Sequence, residues 1–523
     1  MMKKIIYILI FNIQFFFFQN ARAQPGVIDS TFGVDGIVQA PIVSSHVATC
    51  RKVIPLSNGK ILAVGNAFTG TQTEFAMTRL LNNGTVDISF GSQGITTTAI
   101  NGSNASIGYS AVIQQDGKIV LGGNFFDGFG YNFAAVRYDS SGVVDNTFGI
   151  GGVSTIAVGN GLFDDTGYDI ALQSNGKILI AGKSFSGNDY DFTVVRFKTD
   201  GVVDSTFGIN GASVIPVTSG DDICYAMVVQ NDDKVVLSGN FQINGYRVFA
   251  VARLTADGQP DATFGAGGFT TAPLGSTDDD FGYAVIMQQP DNKIIVGGAT
   301  NFSGSYDFAM LRFDSLGALD NSFGNAGVVL TDFSGSGSDD YAYDILIQQD
   351  GKILLAGKTN DLGSRFGLAR YDSNGAIDNT FGTLGMTTVN LTSSQHNCYS
   401  AAIDINNKIL LGGRVSAFND FIIARVKSGL LVSVIETELP INNNLLVYPN
   451  PAASEFVITS RTGLLSAGKK VALKVLDING KELYKEQFLN AEQINMSVEF
   501  PAGIYIIQLQ DDYKVETQKL IIR

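Results

Sequence analysis

The sequence predicts an all-β fold built from seven copies of one unit, because three features recur along the chain with the same period. The motif Asp-x-x-Phe-Gly has its phenylalanines at Phe32, Phe90, Phe148, Phe207, Phe264, Phe323 and Phe381, spaced 57 to 59 residues apart. A lysine follows a tight-turn Gly, Asn or Asp at Lys60, Lys118, Lys177, Lys234, Lys293, Lys352 and Lys408. An arginine closes an apolar run at Arg79, Arg137, Arg196, Arg253, Arg312, Arg370 and Arg425. Such self-similarity indicates units that bury their faces against their neighbours.

One copy, residues 281–335, illustrates the four strands expected in each unit. The run 283–289 alternates and is rich in β-branched and aromatic residues, which is typical of a strand. Second, third and fourth strands are predicted at 293–297, 307–313 and 327–331. Both faces of the third strand are apolar, as in a sheet covered on both sides. Four short antiparallel strands repeated seven times predict a seven-bladed β-propeller.

The two ends of the repeat region are complementary, which favours a closed ring over an open solenoid. The first motif is followed by a strand at 37–43 with no strand before it, and the seventh copy ends at its third strand, 421–426. An open stack needs polar caps on its terminal units, and the sequence shows none. We therefore expect the N-terminal strand to complete the last blade, which removes both exposed edges.

Residues 1–23 have the pattern of a secretory signal peptide. Two lysines precede an apolar run from 5 to 18, and Ala21-Arg22-Ala23 fits a cleavage site. The apolar run, about 14 residues, is shorter than the roughly 20 that span a bilayer, which disfavours an uncleaved anchor. Since no other stretch is long and apolar enough, we expect no transmembrane segment in the mature chain.

The repeat pattern resembles a known family. Tyr-Ala-x-x-x-Gln-x-Asp-Gly-Lys-Ile-x-x-x-Gly, then Phe-x-x-x-Arg-Tyr, then Asp-x-x-Phe-Gly, is similar to the bacterial delta-sixty repeat family of β-propellers. The resemblance covers roughly residues 26–428 and all seven copies, and it implies the propeller fold. It supplies no catalytic residues to carry over. The chain contains no tryptophan, which argues against the tryptophan-bearing propeller repeats.

A second domain is predicted at 445–523, joined to the propeller domain (24–428) by a linker at 429–444. Its several short strands predict a small Ig-like β-sandwich. The motifs Pro-Asn-Pro, Asp-x-x-Gly-Lys and Pro-x-Gly-x-Tyr occur there in this order, and they resemble the type IX secretion sorting domain. The resemblance implies the type IX secretion machinery as a partner and export across the outer membrane of a Gram-negative cell. Removal of the tail, with surface attachment or release, would follow.

Residues shared by all seven copies are expected to hold the unit together rather than to carry chemistry. The motif aspartates precede a turn, where a carboxylate can accept backbone N–H bonds. The repeated arginines can pair with these carboxylates or with loop carbonyls, and the turn lysines are expected to be solvated. Cys50, Cys224 and Cys398 occupy one repeat position that holds Gly or Ala in the other copies. This predicts a small structural residue rather than a reactive thiol or a disulfide framework.

Function is predicted where the copies differ, first in the loops that enter the first strand of four consecutive copies. These loops supply the candidate ligand-binding residues Asp164, Asp165, Asp221, Asp222, Asp278, Asp279, Asp280, Asp339 and Asp340. Three interpretations stay open, namely ordinary solvated charge, calcium binding and carboxylate catalysis. Calcium is therefore a candidate cofactor, but no EF-hand-like spacing identifies its ligands.

Aromatic residues in the loops between second and third strands form the other candidate set, and they are expected on the same face. The candidates are Phe126, Phe129, Phe185 and Phe302. Beside Asp and Asn they could stack on sugar rings, or they could pack between units. The two histidines, His46 and His396, fall in equivalent loops of the first and last copies and are interpreted as exposed, with a transition-metal pair as the less favoured alternative. Two histidines in all disfavour a His-rich zinc site or a Ser-His-Asp triad.

The net charge of −14 disfavours nucleic acid and anionic membranes as partners. Export signals, a loop-rich face and the lack of a catalytic constellation favour a secreted or cell-surface protein that binds an extracellular glycan or protein. An extracellular polysaccharide hydrolase or lyase using the acidic loops is the first alternative. A purely structural surface component is the second. An enzyme is the less favoured interpretation.

Overall fold

The structure is a computed structural model of the 523-residue chain. It describes residues 24–43, 46–100, 102, 105–159, 164–275, 278–333, 335, 337–360, 363–391, 395–416, 419–429, 445–448, 450, 452, 455–460, 464–466, 468–477, 482–497, 500–501, 503–511 and 514–522. The predicted signal peptide and residues 430–444 of the predicted linker lie outside these ranges. All regular structure within them is β-strand, which confirms the all-β class. In the same ranges, no helix is long and apolar enough to cross a membrane.

The chain divides into two compact units, Met1–Leu430 and Leu431–Arg523. Seven four-stranded antiparallel sheets are described in the first unit, and we number them by the repeat that supplies their first strand. Sheet 1 contains β2 (Ala48–Pro55), β3 (Ile61–Phe68), β4 (Thr73–Leu80) and β5 (Ile95–Thr98), and sheet 2 contains β6 (Ser106–Ile113), β7 (Ile119–Phe126), β8 (Tyr131–Tyr138) and β9 (Val153–Ile156). Sheet 3 contains β10 (Thr166–Leu172), β11 (Ile178–Phe185), β12 (Tyr190–Phe197) and β13 (Ala212–Ile215), and sheet 4 contains β14 (Ile223–Val229), β15 (Val235–Ile243), β16 (Tyr246–Leu254) and β17 (Phe269–Ala272). Sheet 5 contains β18 (Asp280–Gln288), β19 (Lys293–Thr300), β20 (Asp307–Phe313) and β21 (Val328–Thr331), and sheet 6 contains β22 (Tyr341–Ile347), β23 (Ile353–Thr359), β24 (Arg365–Tyr371) and β25 (Met386–Val389).

Sheet 7 combines the two ends of the first unit. It contains β26 (His396–Ile403), β27 (Lys408–Val415), β28 (Phe421–Lys427) and, from the N-terminal segment, β1 (Ile37–Ala40). Strand β1 pairs antiparallel with β28, so that Ile37 lies opposite Ala424 and Ala40 opposite Phe421. It is shorter than the predicted 37–43 and ends before Pro41, which has no N–H to donate to the ladder.

Each sheet shares an apolar core with the next sheet along the chain. Leu410 and Ile423 of sheet 7 lie in one such core with Val53 and Ile61 of sheet 1. The phenylalanine of every Asp-x-x-Phe-Gly motif is fully buried in one of these cores. Burying a large apolar side chain is worth about 1.5–3 kcal/mol, which accounts for a phenylalanine at this position in all seven copies.

The repeated aspartate, arginine and lysine form a network around that phenylalanine. In sheet 1, Arg79 Nε donates to Asp87 Oδ2 at 2.6 Å, and Lys60 Nζ donates to the same oxygen at 2.8 Å. The Arg79 guanidinium lies 4.6 Å from the centre of the Phe90 ring, and its Nη1 donates to the carbonyl of Ser140 in the next repeat at 2.6 Å. One arginine therefore joins its own carboxylate, its own phenylalanine and the neighbouring repeat.

The same arginine–aspartate pair occurs in all seven copies. The pairs are Arg79–Asp87, Arg137–Asp145, Arg196–Asp204, Arg253–Asp261, Arg312–Asp320, Arg370–Asp378 and Arg425–Asp29. The prediction that the turn lysines are solvated was wrong, because each lysine Nζ lies 2.8 to 3.7 Å from the same aspartate. The strand pairing brings the hairpin turn beside the motif, which the sequence spacing alone does not reveal.

The three cysteines are buried and unbonded, as a small structural residue should be. At the equivalent Gly108, an added Cβ would lie 2.6 Å from the carbonyl oxygen of Gly65 in the preceding sheet. Only a small residue fits such a close approach of two strands. Burial raises the pKa of the Cys50 thiol to about 12, so it stays protonated and unreactive.

The second unit contains two described sheets. One is formed by β29 (Leu445–Tyr448), β30 (Glu455–Ser460) and β33 (Ile494–Ser497), and the other by β31 (Lys470–Leu476), β32 (Glu482–Leu489), β34 (Gly503–Gln510) and β35 (Val515–Ile522). Leu445 and Ile458 of the first sheet share one buried core with Leu473 and Ile507 of the second. Two sheets that enclose one core form the layer arrangement of a β-sandwich.

Candidate functional site

The loops that enter the first strand and the loops that join the second to the third strand lie at the same edge of each sheet. We call the surface that these loops form the loop face. Neighbouring repeats are joined there by backbone bonds, as between Asp165 N–H and the Tyr131 carbonyl (2.7 Å) and between Asp222 N–H and the Tyr190 carbonyl (2.6 Å). Both sets of predicted binding residues lie on this face.

The first aspartate of each acidic pair holds the preceding sheet. Asp164 Oδ1 accepts the Tyr131 N–H at 3.0 Å, and Asp221 Oδ1 accepts the Tyr190 N–H at 3.2 Å. In the next two loops, Asp279 accepts the N–H of Arg247 and Asp339 that of Tyr306, at 2.9 and 3.1 Å. Each carboxylate thus caps the start of a third strand.

The second aspartate of each pair is buried and holds its own loop. Asp165, Asp222, Asp280 and Asp340 are all at most 1% exposed. Asp340 accepts the N–H groups of Phe333 and Asn360, at 3.1 and 3.0 Å. Burial raises the pKa of Asp165 to about 7 and that of Asp280 to about 6. Asp165, Asp222 and Asp280 each accept a backbone N–H of their own loop through Oδ2, whereas Asp280 Oδ1 is buried without a hydrogen-bond partner. Asp278, which precedes Asp279 and Asp280, is half-buried.

Of the nine predicted aspartates, only Asp340 belongs to a compact carboxylate group in the part of the chain that the structure describes. Asp307, Asp332 and Asp340 each place one carboxylate oxygen within 4.8 Å of the other two. Asp307 is the first residue of β20, and Asp332 directly follows β21. Neither residue is among the predicted binding residues.

The predicted phenylalanines divide into two kinds. Phe126 packs on Tyr131 and Phe185 on Tyr190, with ring centres 5.5 and 5.4 Å apart, inside their own loops. Phe129 and Phe302 are exposed by 76% and 53%. Exposed aromatic side chains on a loop are the ones available to a ligand.

The interpretation of His396 as an exposed loop residue was wrong. It is fully buried and packs edge-on against Phe366, with ring centres 6.3 Å apart. His396 occupies the repeat position of the buried Asp165 and Asp340, two residues before the small residue of the first strand. Its neighbours in the loop, residues 392–394, lie outside the described residues, as do Ser44 and Ser45 near His46. His46 is half-buried beside Phe68.

Seven residues, one from each first strand, contact one another in a circle that we call the tyrosine ring. They are Arg51, Tyr109, Tyr168, Tyr225, Tyr283, Tyr343 and Tyr399. Neighbouring tyrosine centroids are 4.9 to 5.7 Å apart. The guanidinium of Arg51 lies 5.1 Å from the Tyr109 ring and 4.6 Å from the Tyr399 ring. Burial raises the pKa of Tyr225 to about 12, so the hydroxyl remains a donor.

Each residue of the tyrosine ring lies at a β-bulge, which sets the direction of its side chain. The ladder between first and second strands skips one residue after Cys50, Gly108, Gly167, Cys224, Ala342 and Cys398, and that residue belongs to the ring. In sheet 5 the irregularity spans the two residues before Ala284, which include Tyr283. A bulge turns one side chain out of the regular alternation, and the preceding small residue allows it.

Lys52, which follows Arg51 in sequence, belongs to a second group of polar side chains. Lys52 Nζ is 3.0 Å from Asp344 Oδ2, which also accepts the Ala401 N–H at 2.9 Å. Burial lowers the pKa of Lys52, but the Asp344 and Asp169 carboxylates outweigh it and raise that pKa above its usual value. This contact joins the first strands of sheets 1 and 6. The charge of Lys52 is balanced by carboxylates of the same unit.

Among the described residues, sheets 5 and 6 alone carry a group of aromatic side chains between the tyrosine ring and the loop face, which we call the aromatic wall. It consists of Phe281, Tyr283, Tyr306, Tyr341 and Tyr343. Phe281 stacks on Tyr283 and Tyr341 on Tyr343, with interplanar angles of 2° and 8°, and Tyr306 lies 4.9 Å from Tyr341. The positions of Phe281 and Tyr341 hold Thr, Ile or Asn in the other five sheets.

Charged groups border the aromatic wall on the loop-face side. The Arg247 guanidinium lies 5.5 Å from the centre of the Phe281 ring and 3.4 Å from Asp279 Oδ2. Asp339 borders the wall at Tyr306, whose N–H it accepts at 3.1 Å. The ring was detectable in sequence as a tyrosine at one repeat position in six copies, whereas the wall requires knowing which strands adjoin.

Comparisons with known proteins identify both regions. Six segments, 56–90, 114–148, 173–207, 230–264, 289–323 and 348–381, match the family described as a domain of unknown function (DUF5122) beta-propeller. Residues 446–523 match the secretion system C-terminal sorting domain. The chain therefore has a β-propeller repeat region and a type IX sorting tail. Such a tail implies interaction with the secretion machinery and indicates export to the cell surface or extracellular space in a Bacteroidetes-type bacterium.

Several solved structures are similar to the chain at low identity. The polysaccharide lyase Uly1 is 11% identical with a TM-score of 0.41, over 73% of this chain and 90% of that one. Sqt1 from Chaetomium thermophilum is 10% identical with a TM-score of 0.36, over 75% and 99%. The PQQ-bound aldose sugar dehydrogenase from Streptomyces coelicolor is 10% identical with a TM-score of 0.36, over 61% and 93%. No curated protein sequence matches the chain. TM-scores below 0.5 carry no conclusion about function.

Proposed function

We propose that this chain is a secreted or cell-surface β-propeller of seven blades, closed by its N-terminal strand, that binds an extracellular glycan on its loop face. The chemistry of the site favours a neutral glycan, because the Asp279 and Asp339 carboxylates at the aromatic wall are balanced by the Arg247 guanidinium and by the Lys358 ammonium, which lies 6.0 Å from the centre of the Tyr341 ring. Binding, not turnover, is the proposed activity. The sorting tail delivers the propeller to the outside of the cell.

Three observations support the closed ring. Strand β1 pairs with β28, and sheets 7 and 1 share an apolar core. Arg51 touches the ring residues of sheets 2 and 7, so the contacts of the tyrosine ring return to their starting point. A closed ring leaves no unpaired terminal sheet edge for association with another chain.

The aromatic wall is the observation that carries glycan binding. Five rings in contact form a larger apolar surface than any one exposed aromatic residue, and their half-buried state fixes their orientation. Flat rings accept the apolar face of a sugar, while the Asp279, Asp339 and Arg247 groups at the border can exchange hydrogen bonds with its hydroxyls. Apolar pockets with a few placed polar groups are the usual form of a ligand site.

The acidic pairs favour binding over carboxylate chemistry. Their oxygens accept backbone N–H bonds that hold the loops, and a carboxylate so occupied is poorly placed to move a proton or attack a substrate. The acidic loops thus have a structural role in supporting the binding site.

The test is binding of the mature chain to a panel of neutral and anionic polysaccharides, by glycan array and then by calorimetry on the best ligand. Tyr306→Ala and Tyr341→Ala should weaken binding by roughly 1 kcal/mol or more each, about fivefold, because each removes one stacking ring. Tyr190→Ala is the control, since Tyr190 begins a third strand on the same face but outside the wall.

Equal affinity of the two wall variants and the native chain would refute the wall as the site. Binding of surface proteins with no binding of any glycan would assign a protein partner instead. Release of shorter sugars by the native chain would overturn the proposal of binding without turnover.

A further inference from the structure

We propose that Asp307, Asp332 and Asp340 form a calcium-binding site on the loop face, between sheets 5 and 6. This inference does not rest on glycan binding, because the cation itself is the measured ligand. The three residues come from three separate segments, namely the start of β20, the end of β21 and the start of β22.

The spacing of the three carboxylates suits calcium. One oxygen of each lies within 4.8 Å of the other two. Calcium binds oxygen at 2.3–2.6 Å, so two oxygens bound to one ion lie at most about 5.2 Å apart. Zinc favours nitrogen and sulfur ligands, which this all-oxygen group does not provide. Magnesium demands stricter octahedral geometry and seldom uses an all-protein cage.

A buried orphan oxygen is the independent observation. Asp307 is only 3% exposed, and its Oδ1 is buried without a hydrogen-bond partner, while Oδ2 accepts a short bond from Ser303. A buried carboxylate oxygen with no donor carries a desolvation penalty. Coordination of a cation removes that penalty, so Asp307 has the oxygen that a bound metal would satisfy.

The charged groups around Asp307 also favour a bound cation. The Asp332 and Asp339 carboxylates act on it electrostatically, and no cation is among the groups that do. By contrast, the motif aspartates each face an arginine and a lysine. A buried carboxylate with further carboxylates beside it is an electrostatic setting that favours a divalent cation.

The third carboxylate is peculiar to this place in the chain. Asp332 follows the residue that pairs with Phe308, and the equivalent positions in the other copies are Pro41, Ala99, Ala157, Pro216, Pro273 and Asn390. Asp332 is exposed, so it leaves the group open to solvent and to an entering ion. The site is therefore a departure from the repeat, and shared blade structure does not account for it.

Calcium at this point would fix two residues of the aromatic wall. Tyr306 precedes Asp307 and Tyr341 follows Asp340 in sequence, and their rings are 4.9 Å apart. The ion would join Asp332 and Asp340 to the first residue of β20. We expect it to order the loop-face side of the wall.

The experiment is calcium titration of the mature, chelator-treated chain by calorimetry, with terbium luminescence as the second measurement. The chain has no tryptophan, so tyrosine excitation reports an ion near Tyr306 and Tyr341. The native chain should bind one calcium ion saturably and gain thermal stability. Asp332→Asn should lower the affinity at least about tenfold, because a charged ligand is lost, and should leave the metal-free melting temperature unchanged because Asp332 is exposed.

Two further variants separate a metal ligand from a structural residue. Asp307→Asn should raise the metal-free melting temperature, by removing a buried charge, and should abolish the calcium response. A purely structural Asp307 would give a lower melting temperature and an unchanged calcium response. Asp278→Asn, in the corresponding loop of the preceding sheet, should bind calcium like the native chain. Non-saturating binding, or equal binding by native chain and Asp332→Asn, would overturn the site.

Discussion

Replacing Asp29 with alanine tests whether the two ends of the repeat region close into a ring. Asp29 lies in the N-terminal segment, 396 residues before its partner Arg425. Asp29 is 2% exposed and Arg425 is 6% exposed, with Nε donating to Oδ2 at 2.9 Å. If the ends are joined in solution, the alanine variant leaves a buried guanidinium without its carboxylate.

The expected loss in the free energy of unfolding depends on which contacts Arg425 retains in the variant. Removing one partner of a buried ion pair costs about 3–5 kcal/mol. Arg425 Nη1 retains its bond to the Asn82 carbonyl at 2.6 Å, and Asp404 Oδ2 lies 3.6 Å away. Because these contacts soften the loss, we expect the lower end of the range, about 3 kcal/mol. Asp204→Ala is the matched control, since its pair with Arg196 lies within one repeat.

The assay is urea unfolding of the native chain and the two variants, followed by circular dichroism and tyrosine fluorescence. A chain of this size is not expected to unfold in two states, so unfolding midpoints are compared rather than extrapolated free energies. Both variants should shift the midpoint to lower urea by similar amounts. A large shift for Asp204→Ala with none for Asp29→Ala would refute closure, because a frayed N-terminal segment contributes nothing to stability.

Three further predictions concern acid, core volume and the metal site. Burial raises the pKa of Asp165 to about 7, above its value in the unfolded chain. The contribution of Asp165 to the free energy of unfolding is therefore fully present below about pH 4 and is lost as the pH rises towards 7. Asp165→Asn should flatten the melting temperature as a function of pH over this range. Cys224→Ala should cost about 1 kcal/mol, whereas Cys224→Leu should cost 1–3 kcal/mol or more by overpacking, both measured by urea unfolding. Asp191, Pro216 and Asp222 occupy the repeat positions of Asp307, Asp332 and Asp340. Pro216→Asp should therefore add a second calcium site, detectable as a second equivalent in calorimetry; a single equivalent would contradict it.

The blade was predictable because the same packing problem is solved in every copy. A repeated Phe and Arg mark the blade core, and the alternation of a run such as 283–289 marks its first strand. The sequence-based assignments placed the strands of sheet 5 within a few residues of β18 to β21. They failed on the turn lysines, because cross-strand neighbours are set by register. They also failed on His396, because a polar residue in a loop motif gives no sign of whether its position is buried.

The acidic loops show why the candidate site was harder to predict than the fold. A run of carboxylates in sequence can face solvent, a metal or the backbone, and residue type does not distinguish these. The burial of each carboxylate and the hydrogen-bond donors around it do distinguish these cases, and they show Asp165 and Asp222 bonded to backbone N–H groups.

Three of the residues proposed to bind ligands, Asp332, Phe281 and Tyr341, lie at positions where most copies hold another residue, and this follows from the physics of the repeat. A residue that every blade needs for packing, as with the seven phenylalanines, has little freedom to change towards a ligand. Asp332 replaces Pro, Ala or Asn, and Phe281 and Tyr341 replace Thr, Ile or Asn. All three departures fall in sheets 5 and 6. Their coincidence links the proposed calcium site to the aromatic wall, so a calcium-dependent affinity for glycan is expected, and it should be lost in Asp332→Asn while binding at the metal-free level persists.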